Sequence, residues 1–378
     1  MRILQVSPSY YPATYFGGSI FATMGLCDAL ARQDNVSLRV LTTDTAGPNR
    51  KDRLVTSGFP VVFSEGYDVY YCRKLLGKDI SYEMFSHLMA MVSWAEVVHL
   101  TGVYSPPTIP TLLACRILGR PVVLSPHGSL QRWSGSSKIG VKSGWEKVCN
   151  SLLERGRAVL HVTSREEAMD SAARMPRAEV VLIPNGVNVP EIDSVRQWLP
   201  GGVLRMLYMG RLHPIKGIEN LLTAIATPDL GEVTLKICGE GDPEYRAELE
   251  RQVVELALGQ RVVFAGHVSG DAKRVAYMEA DVCLIPSYSE NFGMVVAEAL
   301  SYGVPVVVSK GAPWADVETY GCGLWVENSP EKLACAMKEI RKMDLAEMGG
   351  RGRSWMKCEF SWDILAQRMM SVYSTLAK

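Results

Sequence analysis

The chain has 378 residues, 47% of them apolar and 21% charged. Single hydrophobic cores stop growing at roughly 250–300 residues, so this length predicts two domains. Lys plus Arg and Asp plus Glu number 40 each. That balance excludes a nucleic-acid binder held by bulk charge and makes any anion site a local one.

The nine cysteines are scattered and form no C-x-x-C. They read as free thiols in a reducing cytoplasm and give no support to a zinc site. The opening MRILQVSPSYYP has too short an apolar stretch for a signal-peptide core, and Pro8 and Pro12 break it. No apolar run reaches the roughly 20 residues of a membrane helix. The expectation is a cytoplasmic protein, soluble or held peripherally on the inner face of the plasma membrane.

Short runs rich in Val, Ile and Leu at 2–7, 36–43, 97–100, 121–125 and 158–163 predict buried strands. Amphipathic stretches such as 18–33 and 106–119 separate them. The pattern restarts with runs at 203–210, 233–238, 261–264, 281–285 and 304–308. Between the two series lies 184–201, PNGVNVPEIDSVRQWLPG, whose Pro, Gly and Asn content reads as an interdomain linker. The expected fold class is α/β: two Rossmann-like domains, 1–188 and 200–358, with parallel sheets facing a central cleft. Ligands of such sheets sit at the carboxyl ends of the strands. The end of the chain, 359–378, carries a helical apolar face, and 360–378 is expected to pack back on the first domain.

Five segments, and a weaker sixth, carry candidate chemistry. Gly17-Gly18-Ser19 stands between the first strand and the first helix, where a glycine pair lets a ligand approach the backbone. A simple tight turn explains such a pair more often. Ser125-Pro126-His127-Gly128-Ser129 ends the strand 121–125; a lone histidine is more often a satisfied structural residue, but at a strand's carboxyl end a neutral His127 imidazole could bond a sugar hydroxyl. In 208–217, YMGRLHPIKG, Arg211 and Lys216 follow a strand. An Arg fork and a Lys point charge can hold a leaving nucleoside diphosphate without metal, and the chain has no D-x-D for a divalent ion. Taken alone, a solvated basic loop is the simpler reading. The turn 239–242, GEGD, contains Glu240 and faces either nucleotide or solvent; 264–268, FAGHV, is a weaker base-contact candidate.

The fifth and strongest segment is 289–300, SENFGMVVAEAL, in which Glu290 and Glu298 enclose seven residues. Asn291, Phe292 and Gly293 stand where a loop turns into the helix 294–302, and Met294 opens it. Free N–H groups at that start suit an anion, and Gly293 admits a phosphate. A carboxylate beside phosphate would repel it, so both glutamates are expected to accept bonds from sugar hydroxyls. An isolated E-x7-E is usually a solvated helix face. Here the preceding strand DVCLIPS, the Phe-Gly pair and the following YGVPVVVS favour a site.

Taken together these segments resemble family 4 of the retaining GT-B glycosyltransferases, the group 1 glycosyl transferases. The likeness runs through the glycine-rich first loop, SPHG, PNGV, GR-x4-K, GEG, E-x7-E and the FSW tail. The resemblance implies that Arg211 and Lys216 bind the donor diphosphate and that Glu298 binds the nucleotide ribose. Glu290 would lie near the transferred sugar, with the amides of Phe292, Gly293 and Met294 holding sugar and phosphate. Gly17 and Gly18 would approach the donor phosphate from the other domain, and His127 would contact the donor sugar. It also implies a hexosyl transfer with retained configuration by a front-face route, from a UDP- or GDP-sugar, with no cofactor and no metal.

The acceptor side is carried by analogy: a hydroxyl on a glycan or a polyprenyl-diphosphate-linked intermediate of a surface polysaccharide such as lipopolysaccharide. The segment 132–157, with Arg132, Lys138, Lys142, Lys147, Arg155 and Arg157 against Glu146 and Glu154, and with Trp133 and Trp145, suits an anionic membrane surface or an ordinary surface helix equally. Two other readings stand beside this one: a GT-B nucleotide-sugar epimerase, and a non-catalytic glycan- or nucleotide-binding protein.

Overall fold

A computed structural model describes all residues except 15–16, 48–52, 54–59, 76–79, 132–138 and 193–195. Two units emerge. Unit 1 comprises Met1–Gly186 and Trp362–Lys378; unit 2 comprises Val187–Ser361.

Unit 1 alternates strand and helix: β1 Arg2–Val6, α1 Gly18–Ala31, β2 Ser37–Thr43, β3 Val61–Val62, β4 Asp68–Cys72, α2 Tyr82–Trp94, β5 Val97–Thr101, α3 Thr108–Leu118, β6 Val122–Ser125, α4 Ile139–Leu152, β7 Ala158–Val162, α5 Arg165–Arg174 and β8 Glu179–Leu182. The strands form one sheet in the order β3-β4-β2-β1-β5-β6-β7-β8. All pairings are parallel except that of the two-residue β3 with β4. β5 and β7 are buried along their whole length, as strands covered by helices on both faces must be.

The chain's last helix completes this unit. In unit 1, Trp362 of the C-terminal helix lies between Gly25 of α1 and Gly186; a Cβ at either glycine would come within 2.4 Å of its indole. The buried residues of α1 therefore fall on two of its faces, Ile20, Thr23 and Cys27 on one and Ala22, Gly25, Leu26 and Ala29 on the other. The sequence reads α1 as amphipathic, with one wet face. The C-terminal helix covers that face, which is why the apolar pattern has no single stripe.

Unit 2 repeats the architecture: β9 Leu204–Met209, α6 Ile218–Ile225, β10 Val233–Cys238, α7 Pro243–Glu255, β11 Val262–Gly266, α8 Gly270–Glu279, β12 Val282–Ile285, α9 Met294–Ser301, β13 Val306–Ser309, α10 Asp316–Thr319, β14 Gly323–Val326, α11 Pro330–Ile340 and α12 Leu345–Glu359. Its sheet is wholly parallel, in the order β11-β10-β9-β12-β13-β14. Two apolar clusters cover its faces, one around Leu207, Val296 and Trp355, the other around Leu221, Leu235 and Met337. The final helix, α13, spans Trp362–Leu376 and belongs to unit 1.

Much of the Pro- and Gly-rich stretch 184–201 packs on unit 2. Val187 and Val189 join one of its apolar clusters, and Trp198 and Leu199 pack against the other. Arg196 donates to the carbonyls of Ala280 and Tyr302, at 2.6 and 3.0 Å. Val187 N–H donates to Phe360 O at 2.8 Å, so the outgoing and returning strands of chain lie side by side at the edge of unit 2. Asp281 is fully buried against Arg205, 2.8 Å away, and also receives the Leu199 and Arg205 backbone N–H groups.

Candidate functional site

Strand order reverses between β9 and β12 in unit 2, with β10 and β11 on one side and β13 and β14 on the other. Loops leaving the carboxyl ends of such neighbours depart in different directions and leave room for a ligand. These two loops hold GR-x4-K and the first half of E-x7-E.

The loop after β9 is built to deliver Lys216. His213 caps a 3-10 turn over Pro214–Lys216, its Nδ1 accepting from Ile215 N–H at 3.2 Å. Gly217 follows with φ +61°, and a Cβ there would lie 2.3 Å from the Pro286 carbonyl oxygen. Tyr288 N–H donates to Ile215 O at 2.8 Å. The two loops are thus pressed together by their backbones, and Lys216 Nζ pairs with Glu290 Oε1. Ser287 Oγ donates to the same oxygen at 2.7 Å, while Glu290 N–H is held by Gly311 O. Both side-chain bonds fall on Oε1, which leaves Oε2 for another donor.

Arg211 is exposed, and its guanidinium meets no acceptor among the described residues; its carbonyl receives the buried Tyr208 hydroxyl at 3.0 Å. Burial, and next the Glu290 charge, hold the Tyr208 hydroxyl well above the ordinary tyrosine range. Burial and the charges of Arg211 and Lys216 lower the His213 imidazole. The loop therefore concentrates positive charge on Arg211 and Lys216.

α9 begins at Met294, preceded by Gly293 with φ +79°, and has no side-chain cap and no acidic residue in its first turn. Its first amides are left for an anion. The half-buried Asn291 precedes Phe292, whose ring is buried against Trp314 and Phe360, at centroid distances of 5.1 and 6.2 Å, and whose carbonyl receives Trp314 Nε1–H. Phe292 is thus the anchor that fixes the loop, with only its backbone offered to a ligand.

Glu298, one helical stretch further, is already bonded through both oxygens: Lys273 Nζ lies 2.6 Å from Oε1 and the Tyr277 hydroxyl 2.9 Å from Oε2. Burial, then the Glu298 charge, raise the Tyr277 hydroxyl far above its usual range, so it stays a donor. Lys273, Tyr277 and Ser287 escape a reading of the sequence, since they reach the glutamates from another helix or a loop bend and share no spacing with them.

The GEG turn has a structural reason. A Cβ on Gly239 would lie 1.8 Å from Gly210 O, and one on Gly241 1.9 Å from Leu212 O. These glycines let the loops after β9 and β10 touch along the Leu212–Gly241 bridge. Glu240 between them is exposed, and Asp242 caps α7.

The remaining predicted residues lie in unit 1. Gly17 precedes α1 with φ +77°, and a Cβ there would meet no described atom within 4 Å, so its conformation is what demands glycine; α1 also starts without a side-chain cap or acidic residue, and Gly18 is exposed. His127 is half-buried after β6 with φ +49°, and burial lowers its imidazole to about 4. It lines a narrow crevice with Gln5, Thr101, Ser125, His161 and Asn185.

Arg132, Trp133 and Lys138 of the basic segment lie outside the described residues. Within it, Trp145 turns inward to donate to Val103 O at 2.7 Å, and Glu146 is buried, bonded to the Tyr104 hydroxyl and 3.8 Å from Arg174. Trp145 is therefore not a membrane-facing side chain. Arg157 donates to Gly119 O at 2.7 Å.

The family model described as "Glycosyl transferases group 1" matches residues 193–354, and that described as "Glycosyl transferase 4-like domain" matches residues 17–186. The phosphatidyl-myo-inositol mannosyltransferase of Mycobacterium leprae is 30% identical over 295 residues, 75% of this chain and 74% of that one. The chain belongs to the group 1 glycosyltransferases, family 4.

Another group 1 relative is the GDP-mannose-dependent alpha-(1-6)-phosphatidylinositol dimannoside mannosyltransferase of Mycobacterium tuberculosis. It is 30% identical over 222 residues, 56% of each chain. Across the first curated relatives the matched stretch covers 56–74% of their length. The GT-B fold is shared with Anabaena HepE in complex with UDP-glucose, with a TM-score of 0.73 at 20% identity, over 99% of this chain and 100% of that one. Among the described residues no helix of this group 1 protein is long and apolar enough to cross a membrane.

Proposed function

We propose that the protein moves a hexose, with retained anomeric configuration, from a UDP- or GDP-sugar to a hydroxyl acceptor, without a metal ion. The observation that carries the reading is the Lys216–Glu290 pair at the reversal point of the unit 2 sheet, beside the uncapped start of α9. An ammonium has three donors, so Lys216 can keep Glu290 and still receive a phosphate oxygen. Arg211 supplies a second cation, and the α9 amides a third source of positive potential. These groups stabilise the diphosphate as the glycosidic bond breaks, the point at which charge develops.

In this reading Glu290 Oε2 accepts a sugar hydroxyl and Glu298 accepts the ribose hydroxyls. The amides of Phe292, Gly293 and Met294 hold sugar and phosphate. Gly17, Gly18 and His127 meet the donor from unit 1, and the leaving phosphate oxygen takes the proton of the attacking hydroxyl. The donor names of the relatives, GDP-mannose and UDP-glucose, support a hexose on either nucleotide. A lipid-linked or surface-polysaccharide acceptor is favoured by the phosphatidylinositol acceptors named for the mycobacterial relatives.

The test is a calorimetric screen against UDP-, GDP- and ADP-sugars, followed by NMR of the anomeric proton of the product. One nucleotide class should bind and the product should keep the donor's configuration. An isomerised free nucleotide-sugar formed without acceptor would replace this reading by an epimerase. Binding without turnover, unaffected by Lys216→Ala, would replace it by a non-catalytic binder.

A further inference from the structure

The loop that presents His127 is held from both sides by buried polar groups, while the imidazole itself meets no partner among the described residues. On the strand side, Ser125 Oγ lies between His99 Nε2 at 2.6 Å and His161 Nδ1 at 2.7 Å. On the far side, Gly128 N–H donates to Glu167 Oε1 at 2.5 Å. His127 between them has φ +49°, a left-handed conformation that non-glycine residues adopt only when their surroundings impose it. The imidazole makes no hydrogen bond among the described residues.

Glu167 is 0% exposed. A capping box explains part of its environment. Ser164 Oγ accepts from Glu167 N–H at 3.1 Å, in the S-x-x-E pattern that opens α5. The carboxyl of such a glutamate ordinarily returns to the backbone just before the helix, and Oε2 does so, receiving Thr163 N–H at 2.8 Å and Thr163 Oγ–H at 2.9 Å. Oε1 does something the box does not require. It crosses 39 positions to the one amide that follows His127. Three donors converge on two oxygens, a demand that an acceptor-only carboxylate meets and an amide does not.

We propose that Glu167 is a positioning residue for His127: through the Gly128 amide it locks the SPHG turn in the conformation that presents the imidazole to the donor sugar. The donor contact rests on the glycosyltransferase reading; the lock itself does not. Glu167→Gln places an NH2 group among donors. Glu167→Asp keeps an acceptor for Thr163 but is too short to reach Gly128 as well. Both are expected to release the turn while α5 keeps its Ser164 cap.

The experiment has two arms. In the first, protein labelled with 15N-histidine is titrated by NMR. The wild-type His127 ring should stay neutral down to about pH 4. In Glu167→Gln, and in Glu167→Asp should the first variant fail to fold, it should titrate near the solvated value of about 6.5 as the turn opens. In the second arm, turnover of UDP-glucose and GDP-mannose is measured in Glu167→Gln, His127→Ala and the double variant. Glu167→Gln should lower kcat about 10–100-fold in the wild-type background, the scale of a misplaced group, and hardly at all once His127 is alanine. An unchanged His127 titration, or the same fold-loss in both backgrounds, would reduce Glu167 to a helix cap and overturn the proposal. If the wild type neither binds nor turns over any UDP-, GDP- or ADP-sugar, the glycosyltransferase reading fails while the titration still decides the lock.

Discussion

Lys216 and Glu290 lie 74 positions apart and form an ion pair, with side chains 20% and 15% exposed. Neither loop alone specifies the pair. Gly217 and the Tyr288–Ile215 backbone bond bring the loops into contact, and the ammonium and carboxylate follow. In the proposed reaction the pair would let a phosphate site tolerate a carboxylate, with Lys216 pairing the Glu290 charge.

Removing the ammonium should therefore act twice. Lys216→Ala takes a positive charge from the leaving diphosphate and uncovers the Glu290 charge beside it. The expected loss is about 3 kcal/mol of transition-state stabilisation, a 100-fold or larger fall in kcat/KM for the donor. Lys216→Arg should retain part of the activity. Wild-type rates in the alanine variant would remove Lys216 from the diphosphate site.

Glu298 gives a separate handle on the nucleotide. With Lys273 on one oxygen and Tyr277 on the other, the carboxylate is oriented before any ligand arrives. Glu298→Ala should raise donor KM and weaken nucleoside diphosphate binding by roughly 1.5–3 kcal/mol, the value of hydrogen bonds to a charged group. Tyr277→Phe keeps the stacking on Tyr302, whose ring centroid is 5.0 Å away, and should cost less. Calorimetry that finds nucleotide affinity unchanged in Glu298→Ala would exclude the ribose role.

In the proposed reaction Arg211 and Lys216 of the β9 loop do the work of a divalent ion. Donor turnover should therefore persist after dialysis against EDTA. A strict requirement for added Mg2+ or Mn2+ would refute that assignment.

Gly241→Ala tests why the GEG turn is glycine. Its Cβ would fall 1.9 Å from Leu212 O, so the two loops must part. Overpacking against backbone typically costs about 1–3 kcal/mol, and the lost melting temperature should be accompanied by weaker nucleotide binding as Lys216 shifts. The exposed Glu240, changed to alanine, should leave the melting temperature alone. A stable Gly241→Ala with normal binding would refute the contact.

Most of the parallel strands, and the loops that end them, were legible because buried parallel strands are short apolar runs. β4 was not, since YDVYYC carries a single aliphatic residue, Val69, and β8 and β14, edge strands that are only partly buried, were missed as well. E-x7-E and GR-x4-K could be read because each lies on one continuous loop and helix. Glu167, Ser287, Lys273 and Tyr277 could not: their significance is a contact across 39, 3, 25 and 21 positions, made by side-chain direction rather than by spacing. His127 was found from its place at a strand end, but its left-handed backbone, and so its dependence on neighbours, shows only in three dimensions.

The buried histidines of unit 1 predict how the protein fails in acid. Ile183 O only accepts, so His161 Nε2, 2.9 Å away, must carry a proton and Nδ1 must be bare. Ser125 then donates to His161 and accepts from His99 Nε2–H, and His99 Nδ1 accepts from Tyr373 O–H at 2.5 Å. This one arrangement satisfies every group with both rings neutral. A further proton on His161 would set an N–H against Ser125 and leave the serine proton without its acceptor. Burial, then the neighbouring His127, lower His161 to about 4; burial, then His161 and His127, push His99 well below its ordinary value. An unfolded histidine takes its proton near 6.5. Between these values the unfolded chain binds more protons than the folded one, so stability rises with pH across that window. The contribution is fully present above about pH 6.5 and is lost as the pH falls toward 4, roughly 3 kcal/mol for His161 alone. Urea melts at pH 7.5, 6.0 and 5.0 should show the decline before most carboxylates titrate. Tyr373 ties this chain to α13, so near-ultraviolet signals from the C-terminal helix should report the same midpoint. A stability that stays flat from pH 7 to 5 would mean that the histidine chain accepts protons without breaking.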